Sequence, residues 1–180
     1  MKFDDARKYK KEIKKLYREA FPADERAPLF LLFKRTDNGR DKFSAILDDN
    51  NNFTGLIYTI STDRLKYVFF FAITNENRGK GYGTEVLKKI REENSEKTVI
   101  LMIEDPELQN APNTTERVKR LKFYEKNGFS RLNIKINEAG VAYELLGTQN
   151  NVKQSDFLML MKDWVGAFLF KILYRKTKRL

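Results

Sequence analysis

The sequence contains neither cysteine nor histidine among its 180 residues. Without cysteine, the chain has no disulfide framework, no thiolate metal ligand and no thiol nucleophile for an acyl-enzyme intermediate. Without histidine, a serine–histidine triad and a histidine-based metal site are excluded as well. Any general acid or base must therefore be an Asp, Glu, Tyr or Lys side chain or a positioned water, and we expect chemistry without a metal.

Long apolar runs are also missing. No stretch reaches the roughly 18–20 apolar residues that cross a bilayer, and the basic N-terminus lacks the apolar segment of a signal peptide. We therefore expect a cytoplasmic protein. The net charge of +10 suits phosphate-bearing ligands, nucleic acid, acidic proteins or anionic membranes, and does not discriminate among them. Hydrophobic residues make up 41% of the chain, which is enough for the core of one domain.

Hydrophobic periodicity predicts an α/β protein in which helices and strands alternate in the middle of the chain. The predicted elements are, in chain order, a helix at 5–21, a helix or irregular segment at 29–34, strands at 42–47, 52–61 and 66–73, a helix at 83–96, a strand at 98–103, a helix at 116–127 and a hairpin of 129–136 with 141–147. We expect Gly128 to close the helix at 116–127 as a left-handed cap. Because strand–helix–strand connections usually join parallel strands, this order implies a mixed sheet.

The C-terminal residues 151–180 have the pattern of an amphipathic helix with a basic end. One predicted stripe contains apolar side chains at helical spacing, namely Phe157, Leu160, Met161, Trp164 and Phe168. We expect this helix to pack on a domain formed by residues 1–150 or on a second copy in a homodimer. Peripheral contact with an anionic membrane is the alternative.

A basic, glycine-rich loop follows the third predicted strand, with the sequence Arg78-Gly79-Lys80-Gly81-Tyr82-Gly83. Alternating glycines let the backbone turn tightly and approach a ligand closely. Amides at the start of the following helix, together with the two basic side chains, favour a pyrophosphate. Neither the Walker A pattern nor GxGxxG fits this spacing. The simpler alternative is a strand–helix connection that uses glycine for steric reasons and charge for solubility.

The loop resembles the Arg/Gln-x-x-Gly-x-Gly/Ala acetyl-CoA loop of the GNAT acetyltransferases. A second segment, Leu121–Phe129, resembles the family's later helix and the strand after it. The resemblance covers about residues 5–147 and implies an α/β fold with a GNAT-like mixed central sheet flanked by helices. It also implies acetyl-CoA as cosubstrate and direct acetyl transfer to a primary amine of a small-molecule, peptide or protein acceptor.

The resemblance also implies roles for individual residues. Coenzyme contacts are expected from the end of the third strand and from the loop, at Phe71, Ala72, Ile73, Arg78, Gly79, Lys80, Gly81, Gly83 and Thr84. Tyr124 matches the family's general acid, with packing on the core as the alternative. Glu104 is the expected base, directly or through water, and its alternative is a strand-end carboxylate that faces solvent or pairs with an arginine. Glu76 and Glu25 are weaker candidates for the base.

Acceptor contacts are expected from Glu25 and Arg26, in the loop after the first helix. The later helix departs from the family, because Arg117 stands where Asn is frequent and Arg120 where a small residue is usual. We expect Arg117 to be a solvated helix charge, and the alternative is selection of an acidic or phosphorylated acceptor.

Two other functions remain open at this point. A non-catalytic acyl-CoA-binding module would share the loop but consume no thioester. A nucleic-acid-binding protein would explain the positive charge, although the basic residues are dispersed and no nucleic-acid signature is present, so we expect no such partner.

Overall fold

The N-terminal unit, residues 1–95, is built on an antiparallel sheet with the strand order β1-β2-β3-β4. In the computed structural model, which describes residues 1–108 and 113–177, its strands are β1 (Lys2–Asp5), β2 (Asp41–Leu47), β3 (Phe53–Ser61) and β4 (Leu65–Ile73). Its helices are α1 (Lys10–Ala20), α2 (Leu29–Arg35) and α3 (Tyr82–Glu93). The three strands predicted here are confirmed to within one residue at each end.

The first helix begins later than its hydrophobic pattern predicts. Residues Lys2–Asp5 form an edge strand that pairs antiparallel with β2, so the prediction of helix from residue 5 is wrong. The Asp5 side chain then accepts a hydrogen bond from the Arg7 amide and begins a short 3₁₀ turn, Ala6–Tyr9, ahead of α1. The hydrogen bonds to β2 pair backbone N–H and C=O groups of this segment that an extra turn of helix at the chain end would leave unpaired.

The amphipathic face of α1 packs on the sheet as its spacing predicts. Ile13, Leu16 and Tyr17 are all buried. The Tyr17 ring meets the Phe70 ring edge-on, with 5.0 Å between centroids. Burial of such a stripe supplies most of the stability of an 11-residue helix, which would be marginal in isolation.

Strand β4 is irregular at its midpoint. Tyr58 of β3 pairs with Phe70 while Thr59 pairs with Val68, so Phe69 is an extra residue on β4 and forms a β-bulge. Further along, Gly55 faces Ile73, and a Cβ atom at Gly55 would lie only 2.5 Å from the carbonyl oxygen of Ala72. The two backbones can therefore approach this closely only because residue 55 has no side chain.

The C-terminal unit, residues 96–180, has a second antiparallel arrangement with the strand order β5-β7-β6. Its elements up to the hairpin are β5 (Thr98–Glu104), α4 (Thr114–Lys126), β6 (Ser130–Glu138) and β7 (Val141–Gly147). Asn127 caps the C-terminal end of helix α4, and Gly128 after it has the predicted left-handed conformation, with φ of +80°. The predicted hairpin is also confirmed, and its turn residues Ala139 and Gly140 both have positive φ, as a two-residue turn of this kind requires.

The C-terminal segment is two helices, α5 (Gln154–Val165) and α6 (Ala167–Leu173), rather than the single helix predicted. Gly166, with φ of +84° and ψ of 155°, interrupts the helical hydrogen bonding and changes the chain direction. The stripe predicted to run on to Phe168 is therefore wrong, since Phe168 is 77% exposed. The buried part of the stripe lies on α5 and contains Phe157, Leu160, Met161 and Trp164.

The end of α6 is tied to the β6–β7 hairpin by hydrogen bonds. The Ala139 amide donates to the Leu173 carbonyl at 2.7 Å, and Thr177 Oγ1 donates to the Asn137 carbonyl at 2.8 Å. Within the described ranges, 1–108 and 113–177, no helix has both the length and the apolar character needed to cross a membrane.

A buried carboxylate anchors the hairpin. Glu144 on β7 is completely buried and accepts bonds from Arg131 Nε and Nη2, the latter at 2.8 Å. Lys135 Nζ lies 3.3 Å from the same carboxylate. Hydrogen bonds to Glu144 and Glu107 raise the pKa of Arg131. A buried charge is tolerated only when it is paired and hydrogen-bonded in this way.

We expect Arg131→Met to destabilise the protein by about 3 kcal/mol, because removal of one partner leaves the other charge buried and underpaired. Denaturant unfolding of the variant and the wild type measures this difference. Lys119→Met, which removes a positive charge from the exposed surface of α4, serves as the control and should change stability by less than about 0.5 kcal/mol. Equal effects of the two substitutions would contradict the assignment.

Candidate functional site

The glycine-rich loop begins where β4 ends. The Thr74 amide donates to the Thr54 carbonyl at 2.9 Å, and a 3₁₀ turn, Asn75–Asn77, carries the chain away from the sheet. Gly79 and Gly81 both adopt positive φ, +75° and +90°, and α3 starts directly after Gly81. The left-handed conformation at Gly81 is what turns the chain into the helix, and only glycine adopts it readily.

The backbone amides of this loop lack partners. Among residues 1–108 and 113–177, no acceptor is found for the N–H groups of Gly79 through Thr84, and the first amide of α3 to be bonded is that of Glu85, to Gly81. A Cβ atom placed on Gly79 or Gly81 would meet nothing within 4 Å, so the space beside these residues is open. Unpaired amides at a helix N-terminus, facing open space, form an anion-binding surface.

Positive side chains flank these amides. Arg78 Nε donates to the Ile73 carbonyl at 3.3 Å, and Lys80 Nζ donates to Asn77 Oδ1 at 3.2 Å. In the part of the chain that the structure describes, neither cation forms an ion pair with a carboxylate. Both charges therefore add to the partial positive charge of the helix terminus. Glu76, a weaker candidate for the base, lies exposed in the adjacent 3₁₀ turn.

The end of β4 contains the three residues expected to contact the coenzyme through their backbones. Phe71, Ala72 and Ile73 pair with β3 in regular antiparallel register beyond the bulge at Phe69. The close approach of Gly55 holds this end of β4 in place. Sequence reasoning missed Gly55, although an isolated glycine inside a strand pattern is a recognised sign of close backbone approach.

Glu104, at the end of β5, is tied to the start of α4. Its Oε1 atom accepts from Arg117 Nη2 at 2.7 Å, and its Oε2 atom accepts from Asn113 Nδ2 at 3.0 Å and from Arg120 Nη1 at 3.4 Å. The structure therefore shows the alternative in which this strand-end carboxylate pairs with an arginine. A carboxylate can accept roughly four hydrogen bonds, so these three donors leave about one acceptor position of Glu104 free.

Arg117 is buried rather than solvated. The residue is only 6% exposed, and besides Glu104 it donates to Asn113 Oδ1 at 2.7 Å and to the Asp105 carbonyl at 3.0 Å. The expectation of a solvated helix charge is therefore wrong. The planar guanidinium binds three acceptors at once and joins the β5 end to the first turn of α4, a role that lysine could not fill.

Tyr124 lies partly buried on α4, between aromatic neighbours. Its ring centroid is 5.3 Å from that of Phe123 and 5.9 Å from that of Phe129, both in edge-on geometry. Burial raises the pKa of the Tyr124 phenol to about 12, although the charge of Arg120 opposes the shift. Over the described residues the hydroxyl has no hydrogen-bond partner, so this phenol is protonated at neutral pH and available as a proton donor.

The two expected acceptor contacts lie in different surroundings. Arg26 lines a groove between α1 and α2, together with Tyr17 and Ala27, and the Tyr17 hydroxyl donates to the Ala27 carbonyl at 3.1 Å. Glu25 does not line this groove, and its amide donates to the Pro22 carbonyl. The described residues contain no group of three or more acidic side chains placed to hold a metal ion.

Comparison with known proteins gives a family and a fold. The Acetyltransferase (GNAT) domain family matches residues 40–131, just over half of the chain. No curated protein gives a significant match. A solved structure described as a GNAT-family acetyltransferase from Bacteroides thetaiotaomicron has a TM-score of 0.74 at 21% identity, covering 94% of this chain and 98% of its own.

Two further structures are similar. An aminoglycoside 6′-N-acetyltransferase complexed with coenzyme A has a TM-score of 0.62 at 14% identity, covering 85% of this chain and 99% of its own. A chimera of the Vibrio cholerae spermidine N-acetyltransferase and hSSAT has a TM-score of 0.59 at 17% identity, covering 88% and 99%. At these identities the likeness shows the fold alone.

The predicted α/β fold, a GNAT-like mixed sheet flanked by helices, is confirmed by these matches. The residues matched by the family, 40–131, include both segments on which the resemblance rests, the glycine-rich loop and Leu121–Phe129. The chain therefore belongs to the GNAT acetyltransferase family and is an acyltransferase of that family.

Proposed function

We propose that the chain transfers the acetyl group of acetyl-CoA directly to a primary amine on a small molecule, peptide or protein. The observation that carries this proposal is the run of unpartnered amides from Gly79 to Thr84 in the described chain, flanked by the cations of Arg78 and Lys80. The coenzyme A complex of the aminoglycoside acetyltransferase supports it, because a protein of the same fold binds this coenzyme.

The loop supplies the binding groups for the coenzyme. In this proposal the amides of Gly79, Gly81, Gly83 and Thr84 and the side chains of Arg78 and Lys80 hold the pyrophosphate. Backbone groups at the end of β4, on Phe71, Ala72 and Ile73, hold the pantetheine amides by strand-like hydrogen bonds. One of these N–H groups also stabilises the oxyanion that forms when the thioester carbonyl is attacked.

The reaction requires two proton movements. The amine nitrogen attacks the thioester carbon, the tetrahedral intermediate collapses with breakage of the carbon–sulfur bond, and the CoA thiolate must gain a proton. We assign that proton to the Tyr124 hydroxyl, which has no competing acceptor among the described residues. The amine proton passes to a water, and Glu104 receives it from that water at the one acceptor position that its three N–H donors leave free.

The remaining expectations stay predictions. They are the domain boundary near residue 150, the cytoplasmic location, the absence of a nucleic-acid partner, the choice between homodimer and monomer, and the peripheral membrane contact of the C-terminal segment. The alternative function, a non-catalytic acyl-CoA-binding module, differs from the proposed one in a single observable: it binds the coenzyme and consumes no thioester.

The decisive experiment incubates the purified protein with acetyl-CoA and a broad panel of primary amines, and measures free thiol together with the acetylated product. Release of CoA in proportion to amine acetylation supports the proposal. Tight coenzyme binding with no thiol release for any amine would favour the binding module.

Tyr124→Phe should lower kcat by about a hundredfold, because the leaving thiolate loses its proton donor, which typically contributes roughly 10²–10⁴-fold. The affinity for acetyl-CoA should change little, since the phenol is not among the groups assigned to the coenzyme. Steady-state kinetics and calorimetric titration with acetyl-CoA separate the two effects. Phe123→Leu, which alters the neighbouring ring without touching the hydroxyl, is the matched control. Unaltered turnover in Tyr124→Phe would remove this residue from the acid role.

The pH profile gives an independent test of the same residue. Because burial raises the pKa of Tyr124 to about 12, the folded enzyme keeps this proton as the pH passes about 10, where an ordinary tyrosine ionises. The wild type should therefore show no loss of kcat attributable to Tyr124 below about pH 11. A loss of kcat centred at about pH 10 in the wild type, absent from Tyr124→Phe, would show that this phenol has the pKa of an ordinary tyrosine.

Gly81→Val should weaken CoA binding by at least about tenfold, because the new side chain would enter the space assigned to the phosphates. Gly39→Val is the matched control. Gly39 has φ of +74°, close to that of Gly81, and a Cβ atom there would also have no neighbour within 4 Å. Valine therefore strains the backbone in both variants, but only Gly81 lies in the loop that we assign to the coenzyme. Calorimetric titration with CoA, at a temperature where both variants are folded, measures the difference. Equal affinities would place the phosphates elsewhere.

A further inference from the structure

A groove of about 1030 Å³ lies on the N-terminal unit, between α1 and α2. It has two chemically different sides, one positively charged and one apolar. Its lining residues are Arg7, Lys10, Lys14, Tyr17, Arg18, Ala23, Arg26, Ala27, Pro28, Leu29, Phe30 and Phe33. No acidic residue is among them.

The charged side is formed mainly by one face of α1. Lys10, Lys14 and Arg18 recur every four residues and so project from the same side of the helix, and Arg26 joins them from the loop after it. Within residues 1–108 and 113–177, none of these four cations forms an ion pair with a carboxylate. Arg7 differs, because it is bound by Asp37 and by the Phe33 carbonyl. Four unneutralised cations around one concave surface attract an anion.

The apolar side is formed by Ala27, Pro28 and the first residues of α2. Phe30 is 74% exposed, an unusual position for a phenylalanine beside a concave surface. Phe33 lies below Lys10, with the ammonium 5.9 Å from the ring centroid. The groove therefore offers aromatic surface and positive charge side by side, which matches a ligand with an acidic group attached to an apolar body.

The groove is close to the strand that ends at the coenzyme loop. Tyr17 forms part of its wall, and the Tyr17 ring packs on Phe70 of β4. Phe70 directly precedes Phe71, Ala72 and Ile73, to which we have assigned the pantetheine contacts. All of these residues belong to the N-terminal unit, and the Tyr17 ring connects the groove to this strand.

We propose that this groove binds the acceptor, and that the acceptor is a small amine that also carries a carboxylate or phosphate next to an apolar body; this inference rests on the proposed function. A polyamine does not fit this groove, because its additional ammonium groups would be repelled by the charges of Lys14, Arg18 and Arg26. Asp24 and Glu25, which would suit a cationic acceptor, are both absent from the lining.

The binding part of the test uses anilinonaphthalene sulfonate, a fluorescent aromatic anion, and no coenzyme. The variant Lys14→Glu/Arg18→Glu reverses two charges of the groove, and Lys11→Glu/Lys15→Glu reverses two exposed lysines of α1 that do not line it, at the same spacing and with the same change in net charge. Each exposed charge contact changes an equilibrium by up to about fivefold, so we expect the first variant, which loses two, to bind about tenfold more weakly. The second should match the wild type.

Folding of each variant is checked by circular dichroism and thermal unfolding, and Lys14→Gln/Arg18→Gln provides a milder version if the double reversal does not fold. Equal binding by the groove variant and the surface control would overturn the proposal, since the anion would then bind somewhere else on the basic surface.

The turnover part compares three acceptors with the same ring and the same reacting amine: para-aminomethylbenzoate, para-methylbenzylamine and para-xylylenediamine. We expect kcat/KM with acetyl-CoA to be about tenfold higher for the carboxylate than for the diamine in the wild type, and this preference to be lost in the groove variant alone. A preference for the diamine, or one unaffected by the groove variant, would overturn the proposal.

The two parts separate this inference from the proposed function. If no amine of any charge is acetylated, the proposed function fails, and the assignment of the groove to an acceptor fails with it, even where the fluorescence result shows an anion site. If all three amines are acetylated equally, and the affinity for the fluorescent anion is the same in the groove variant and the wild type, the acetyltransferase activity stands and the groove proposal is wrong.

Discussion

The hydrogen-bonding requirement of a few backbone amides controls the arrangement of the N-terminal unit. Six consecutive N–H groups, Gly79 to Thr84, have no acceptor in the described chain, and a folded protein keeps such groups unpaired only where solvent or a ligand can reach them. The left-handed backbone at Gly81 turns the chain from the loop into α3. The bulge at Phe69 and the close approach of Gly55 set the end of β4 from which the loop departs.

Charge is used differently in the two units. In the C-terminal unit the buried charges are paired: Arg117 binds Glu104, and Arg131 binds Glu144, so that they join strands and helix and are not free to meet a ligand. Over the described part of the N-terminal unit, several cations lack such partners, including Arg78, Lys80, Lys14 and Arg18. The net charge of +10 therefore indicates where an anion could bind only after the cations in ion pairs have been distinguished from those without a carboxylate partner.

Local patterns were enough to predict the strands, the glycine-rich loop and the left-handed cap at Gly128, because each depends on neighbouring residues alone. The predictions that were wrong concern features that depend on residues distant in the sequence, or on a single residue within an otherwise helical pattern. The strand Lys2–Asp5 exists only because β2, about forty residues later, offers its edge. Arg117 is buried because Glu104, Asn113 and the Asp105 carbonyl surround it, a set that spacing does not reveal. The break at Gly166 was hidden by apolar residues on both sides that fit one helical stripe.

Gly55 and Gly81 constrain the sequence for different reasons, and the difference affects how the protein can change. At Gly81 the restrictions are the positive φ and the space that we assign to the phosphates, and asparagine, which tolerates positive φ, would meet only the first of them. At Gly55 the obstacle is the main-chain oxygen of Ala72, 2.5 Å from where a Cβ would be. Trimming the nearby isoleucine side chains leaves that oxygen in place. A side chain at position 55 would therefore require the backbones of β3 and β4 to separate at the point where the glycine-rich loop departs.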